Sequence, residues 1–191
     1  MTSWSEFESA EPEMAALGLK QLRKFGLAYL ATVRKDGAPR VHPVCPFLAD
    51  GRLFVATPSA SPKRLDLVRD GRYVIHMLPG KNDDEFLVRG RARRITDAAT
   101  RGVALAAAQT ALPGGETLNV DPEDWLFEYD VEGAATGYWE NVGQPNTRAV
   151  RRRWQAPPTS GGGAPAPVPQ GRLAPARAKA PAGRYAVSAA R

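Results

Sequence analysis

Two Asp-Gly dipeptides, Asp36-Gly37 and Asp50-Gly51, constrain this chain more than any other local feature. Each lies between runs in which apolar residues alternate with others, and Asp-Gly readily takes the left-handed backbone of a tight hairpin turn. LAYLATVR, RVHPVCPF and LFVAT are therefore expected to form three strands of an antiparallel meander. Farther on, RYVIHML and EFLVRGRARRI read as strands, the second with Arg89, Arg91 and Arg93 on one face because side chains alternate along a strand. WLFEYDVEGAATGYWE reads as two more strands, broken near Gly133.

Helical periodicity is confined to short stretches. Ala15, Leu19, Leu22 and Phe25 share one face of a helix expected from about Glu11 to Phe25 and stopped at Gly26. An Ala-rich helix is expected from about Asp97 to Ala111. Strands and helices do not alternate regularly, so a parallel sheet is excluded. The expectation is a mainly β fold: six or seven antiparallel strands with short helices between them, closed or nearly closed into a barrel that removes exposed edges.

Composition divides the chain in two. From Gln155 to the end the sequence is rich in Pro, Ala and Gly, has almost no large apolar residues and no acid, and cannot bury enough surface to offset its chain entropy. Residues 1–154 are read as the folded domain and 155–191 as a disordered tail. The formal charge of +6 belongs to that end: nine Lys and Arg fall from Arg148 onward with no Asp or Glu, leaving residues 1–147 at −3. A specific nucleic-acid-binding domain is therefore not expected, although RGRARR and RAVRRRW are basic. The acidic start MTSWSEFESAEPEM is unlike a signal peptide, and no apolar run approaches the roughly 18 residues of a membrane span. A soluble, cytoplasmic protein is expected.

Residues 56–67, ATPSASPKRLDL, raise a question of charge. A helix starting at Pro62 with Ser61 as its N-cap would turn unpaired N–H groups toward Ser59 and Ser61, and Lys63 and Arg64 would add full charges at a solvent-facing helix start. Such a turn reads either as an anion seat or as an ordinary cap.

Catalytic sets are scarce. The only histidines are His42 and His76, and His42 and Cys45 fall on opposite faces of a regular strand, which argues against a metal chelate. Cys45, the single cysteine, excludes an internal disulfide and reads as a small buried hydrophobe, and His76 as a hydrogen-bonded strand residue. No Gly-x-Ser-x-Gly elbow, P-loop or dinucleotide fingerprint occurs. An enzyme built this way would depend on a cofactor for its chemistry.

The order LATVRKDGAPRVHPV, DGRLFVATPSASPKRLDL, RYVIHM and FLVRGRARRI resembles the pyridoxamine 5'-phosphate oxidase-like split-barrel superfamily, which includes FMN proteins and enzymes using the deazaflavin coenzyme F420. The resemblance covers about Leu17 to Trp154. It implies a six-stranded antiparallel split barrel of the FMN-binding type, usually a homodimer with flavin or deazaflavin in grooves at the dimer interface. It implies a phosphate seat at Thr57, Ser59, Ser61, Lys63 and Arg64, and a ring seat along Arg40, Val41, His42, Pro43 and Val44. Trp139, Arg153 and Trp154 are implied as residues that complete the neighbouring protomer's site. The segment with which true pyridoxamine phosphate oxidases bind substrate has no counterpart here, so the resemblance does not extend to that substrate. The function implied is hydride transfer between the bound cofactor and a small organic molecule. The alternative is a cofactor or haem carrier without turnover, with His76 or His42 as an axial ligand.

Overall fold

The computed structural model describes residues 2–79 and 83–158; beyond Pro158 the expected tail lies outside the described residues. Nine strands form one antiparallel sheet: β1 (Ala28–Val33), β2 (Pro39–Val44), β3 (Phe47–Ala49), β4 (Arg52–Thr57), β5 (Arg72–Met77), β6 (Glu85–Ile95), β7 (Trp125–Tyr129), β8 (Gly133–Glu140) and β9 (Arg148–Gln155). The strand order is β2-β1-β5-β6-β7-β4-β3, with β8 on β6 and β9 on β8. β2 and β3 stand at the two ends of that order yet are joined only by Cys45 and Pro46. From Val44 to Phe47 the chain can span about 11 Å at most, so the sheet must curl until its ends nearly meet. This is the expected split barrel, with nine strands in place of six.

Both Asp-Gly turns form hairpins, β1 with β2 and β3 with β4. Asp50 and Gly51 both take positive φ, 49° and 67°, as a two-residue primed turn requires. The expected three-strand meander does not form. RVHPVCPF is broken at Cys45-Pro46, because proline cannot donate to a ladder, and its halves pair with different partners.

β6 is the central strand rather than an edge. One side pairs with β5, while the other pairs with β8 over Glu85–Arg89 and with β7 over Ala92–Ile95. Between those stretches the chain linking β7 to β8 crosses over Gly90, where a Cβ would stand 2.0 Å from the Asp130 carbonyl oxygen. Only glycine fits this crossing. The flanking ladder is kept by Asp130 N–H to Arg91 O and Glu132 N–H to Arg89 O, both 2.9 Å.

Four helices close the barrel: α1 (Trp4–Ala10), α2 (Pro12–Phe25), α3 (Lys63–Arg69) and α4 (Ala98–Ala108). α2 ends as expected at Gly26, φ 63°, whose N–H reaches Leu22 O. α1 was not expected, although Ser3-x-x-Glu6 spells a capping box, and both of its reciprocal bonds form. It buries Trp4 and Phe7 against Phe86, while Leu30, Val55, Ile75, Val88 and Phe127 fill the same core. Each such side chain contributes about 1.5 to 3 kcal/mol of transfer free energy. A second cluster packs Ala104 and Ala108 of α4 on Phe47, Phe54, Ile95 and Leu126. β9 was also not expected; Arg152 ties it to α2 through Glu11 and Glu13. Gln155, read as the first tail residue, ends this strand. Among the described residues no helix is long and apolar enough to cross a membrane.

Candidate anion and cofactor site

Thr57, Ser59, Ser61, Lys63 and Arg64 occupy the end of β4, the following turn and the start of α3, and the structure corrects their expected roles. α3 has seven residues, its N-cap is Pro62 and no side chain caps it. Ser61 is not the cap. Its hydroxyl instead accepts from Lys63 Nζ at 3.2 Å. Lys63 was expected to face solvent; it is only 6% exposed. The turn after β4 folds it inward beneath the sheet instead of letting it trail from a free helix end. No carboxylate lies within 4.0 Å of its ammonium among the described residues. Burial pulls its pKa below the usual lysine value, and Asp124 farther off offsets part of that. Thr57 is fully buried and its Oγ1 has no hydrogen-bond partner in the described structure.

Arg64 is half-buried. Its Nε–H donates to the Ser59 carbonyl and its guanidinium lies 4.6 Å from the centroid of the Trp125 ring. A buried ammonium without a counterion and an unpartnered buried hydroxyl are each costly, and a bound anion would satisfy both. An anion held at this turn would be held by side chains rather than by a helix dipole.

Arg40 and His42 join this cluster from β2, on the face opposite Val41 and Pro43. The link is Asp66, which sequence reasoning missed. It is 4% exposed and accepts from Arg40 Nε at 2.7 Å, Thr32 Oγ1 at 3.1 Å and Arg69 Nη2 at 3.2 Å. Burial alone would raise its pKa, but these three donors outweigh burial and hold it below the usual carboxylate value. The His42 pKa is shifted down, first by burial and then by Lys63 and Arg40, with Asp66 acting the other way. A groove of about 560 Å³ lined by Arg34, Lys35, Arg40, Pro62, Leu65 and Arg69 opens beside the cluster. No sequence pattern ties Asp66 to Arg40, since their contact exists only once α3 docks on the β1–β2 hairpin.

The remaining expected residues lie elsewhere. Val44 is buried, whereas Val41 and Pro43 are exposed on the outer sheet face. Register places Pro43, Tyr29, His76, Leu87, Ala135 and Arg153 in one row across that face. Five strand spacings separate Pro43 from Arg153, roughly 24 Å along the sheet. Arg153 therefore lies on the outer face, whereas Lys63 is buried. Trp139 is half-exposed and lines a separate cavity of about 290 Å³ with His76, Asp83 and Glu85. Trp154 packs on Phe7 at 5.0 Å between ring centroids. His76 is a hydrogen-bonded strand residue as expected, its Nδ1 2.7 Å from Met77 O; Cys45 is half-buried rather than buried. Arg91 and Arg93 pair with Glu132 at 3.8 Å and Glu128 at 2.6 Å.

Comparison with known proteins agrees with this geometry. A family model described as pyridoxamine 5'-phosphate oxidase matches residues 17–132. No curated protein sequence matches the chain significantly. Among solved structures, a heme binding protein from Mycobacterium smegmatis is 16% identical with a TM-score of 0.54; the match covers 73% of this chain and 58% of that one. A pyridoxamine 5'-phosphate oxidase-related, FMN binding protein from Nostoc punctiforme PCC 73102 is 15% identical over 78% of this chain and 97% of that one, with a TM-score of 0.53. PhzG from Burkholderia lata 383, in complex with tetrahydrophenazine-1-carboxylic acid, is 12% identical over 80% and 93%, with a TM-score of 0.51. At these identities the likeness is one of fold. The family match spans more than half of the chain and contains both the β1–β4 hairpins and the Lys63 turn, and the chain belongs to the pyridoxamine 5'-phosphate oxidase family.

Proposed function

We propose that this protein is an oxidoreductase that holds a phosphate-bearing flavin-type cofactor, FMN or the deazaflavin coenzyme F420, and passes hydride between it and a small organic substrate. The observation that carries the reading is Lys63, a buried ammonium with a hydroxyl but no carboxylate for company. The fit is one of charge and hydrogen bonding. Lys63 and Arg64 neutralise the phosphate, the hydroxyls of Thr57, Ser59 and Ser61 complete its donor set, and Arg40, oriented by Asp66, keeps its terminal nitrogens for the cofactor's polar edge. When bound, the cofactor supplies the hydride chemistry.

Charge also favours FMN over the deazaflavin. Lys63 and Arg64 are two cations without carboxylate partners within 4.0 Å among the described residues, which suits a phosphate monoester carrying about −2 better than a phosphodiester carrying one charge. The second site component comes from a second copy in this reading. Tyr29, Val41 and Pro43 form an exposed apolar patch on the outer sheet face; pairing through it would bring Trp139 and Arg153 of another copy toward the ring seat.

Titration of the cofactor-free protein with FMN, riboflavin and coenzyme F420, followed by fluorescence, tests the reading. FMN is expected to bind at least tenfold more tightly than riboflavin, and equal affinities would remove the phosphate seat. Haem binding is the second reading. It is favoured by His76, whose Nδ1 is engaged by Met77 O so that Nε2 remains for an axial bond. An intense Soret band with haem and no flavin binding would select it.

A further inference from the structure

Trp125 opens β7, opposite Thr57 in the β4–β7 ladder, and so stands at the rim of the phosphate seat. Two guanidiniums lie on its ring, Arg64 at 4.6 Å and Arg94 at 3.6 Å from the centroid. It is the only tryptophan with a cation over its ring among the described residues. The loop before it is pinned by Arg101 of α4, whose Nη1 and Nη2 each donate at 2.9 Å, to Asp124 O and Pro122 O. Arg64 is thereby fixed twice, at Nε by the Ser59 carbonyl and across its plane by the indole, and its terminal nitrogens have no partner among the described residues. An arginine so held loses little rotamer freedom when an anion arrives. Arg94 adds a like charge beside the same ring without a carboxylate within 4.0 Å among the described residues, and its repulsion with Arg64 is relieved by an anion.

We infer that Trp125 is a positioning residue for the seat, holding the Arg64 guanidinium in the orientation that receives the cofactor phosphate. The inference rests on the phosphate-seat reading above. It predicts that Trp125 acts on the phosphate alone, and the ratio of FMN to riboflavin affinity is a readout that general loosening of the barrel would not move. Both ligands are titrated into full-length wild type, Trp125→Phe and Trp125→Leu, with melting temperatures measured in parallel. Trp125→Leu is expected to weaken FMN binding about five- to tenfold with riboflavin unchanged, and Trp125→Phe to keep most of the wild-type ratio. Equal losses for both ligands, or no loss for FMN, overturn the positioning role. Trp125 also packs on the main core. Should Trp125→Leu not fold, ring-fluorinated tryptophan incorporated throughout the chain draws electron density from the indole at nearly constant shape. It is expected to lower the FMN-to-riboflavin ratio; an unchanged ratio overturns the role. Wild type that binds FMN no better than riboflavin overturns the seat itself, an outcome separable from a normal wild type with an insensitive Trp125.

Discussion

Arg91 and Arg93 of β6 and the Lys63-Arg64 pair at the start of α3 are both short cationic stretches, but the fold treats them oppositely. Arg91 and Arg93 are exposed and meet Glu132 and Glu128; Glu128 also receives Arg52 at 3.6 Å. Arg91–Glu132 is an exposed pair of the kind that contributes little, whereas Glu128 is buried and its charge is answered by Arg93 and Arg52. Lys63 is buried with no carboxylate in contact, and Arg64 is oriented by a carbonyl and an indole, neither of which cancels its charge. The difference teaches that a run of basic residues keeps charge to offer an anion only where the fold withholds its counterions. The β6 stripe serves the scaffold, since Gly90 within it carries the strand crossing that shapes the sheet.

The largest expected effect breaks the scaffold side of this comparison. Gly90→Ala places a methyl against the Asp130 carbonyl and is expected to cost about 3 kcal/mol or more, because both contacting groups are backbone and neither can rotate away. Urea denaturation followed by circular dichroism measures it, and wild-type stability would show that the crossing is looser than described.

Next comes a matched pair of substitutions. Lys63→Met removes a desolvated charge and keeps its volume, so stability is expected to hold or rise while FMN affinity falls about 10- to 100-fold. Arg93→Ala should leave FMN affinity unchanged and lower stability, because the buried Glu128 then keeps only Arg52 at 3.6 Å. If the two variants lost FMN binding alike, the contrast between the runs would collapse.

A pH series sharpens it further. Lys63 is shifted below its ordinary value of 10.5 by burial, so just below that pH the unfolded chain holds the proton more readily than the folded one. The Lys63 contribution to stability therefore rises with pH through this window, while FMN affinity falls there as the ammonium is lost. Lys63→Met should flatten both trends, measured by thermal melts and by flavin titration.

The smallest expected effect belongs to a surface pair. Asp70 is held at a pKa of about 2, first by the hydrogen bond from Arg72. Its stabilising share is present above the ordinary carboxylate range and fades as pH falls toward that value. Carboxyl NMR titration of Asp70 gives the number, and Arg72→Ala should return it toward 3.8 without touching FMN binding.

Local patterns carried much of this molecule into view. Both Asp-Gly turns, the stop of α2 at Gly26 and the strand character of β5 and β6 depend on neighbours within a few residues, so composition and spacing reveal them. The strand count, β9 and the split of RVHPVCPF were not legible, because pairing across the chain decides them. At the candidate site, the resemblance pointed to the segment from Thr57 to Arg64, but nothing in the sequence pointed to Asp66, Trp125 or Arg101, since each contacts residues far away in sequence.

The sequence by itself determined a β-rich domain with hairpins at Asp36-Gly37 and Asp50-Gly51, and a charged turn after β4, since backbone preference and side-chain alternation are local. Only the tertiary structure decided which cations meet a carboxylate: α3 docks Asp66 between Arg40 and Arg69, while Lys63 is buried with no carboxylate within 4.0 Å among the described residues. Electrostatic energy depends on distance and burial, and the folded chain alone sets both.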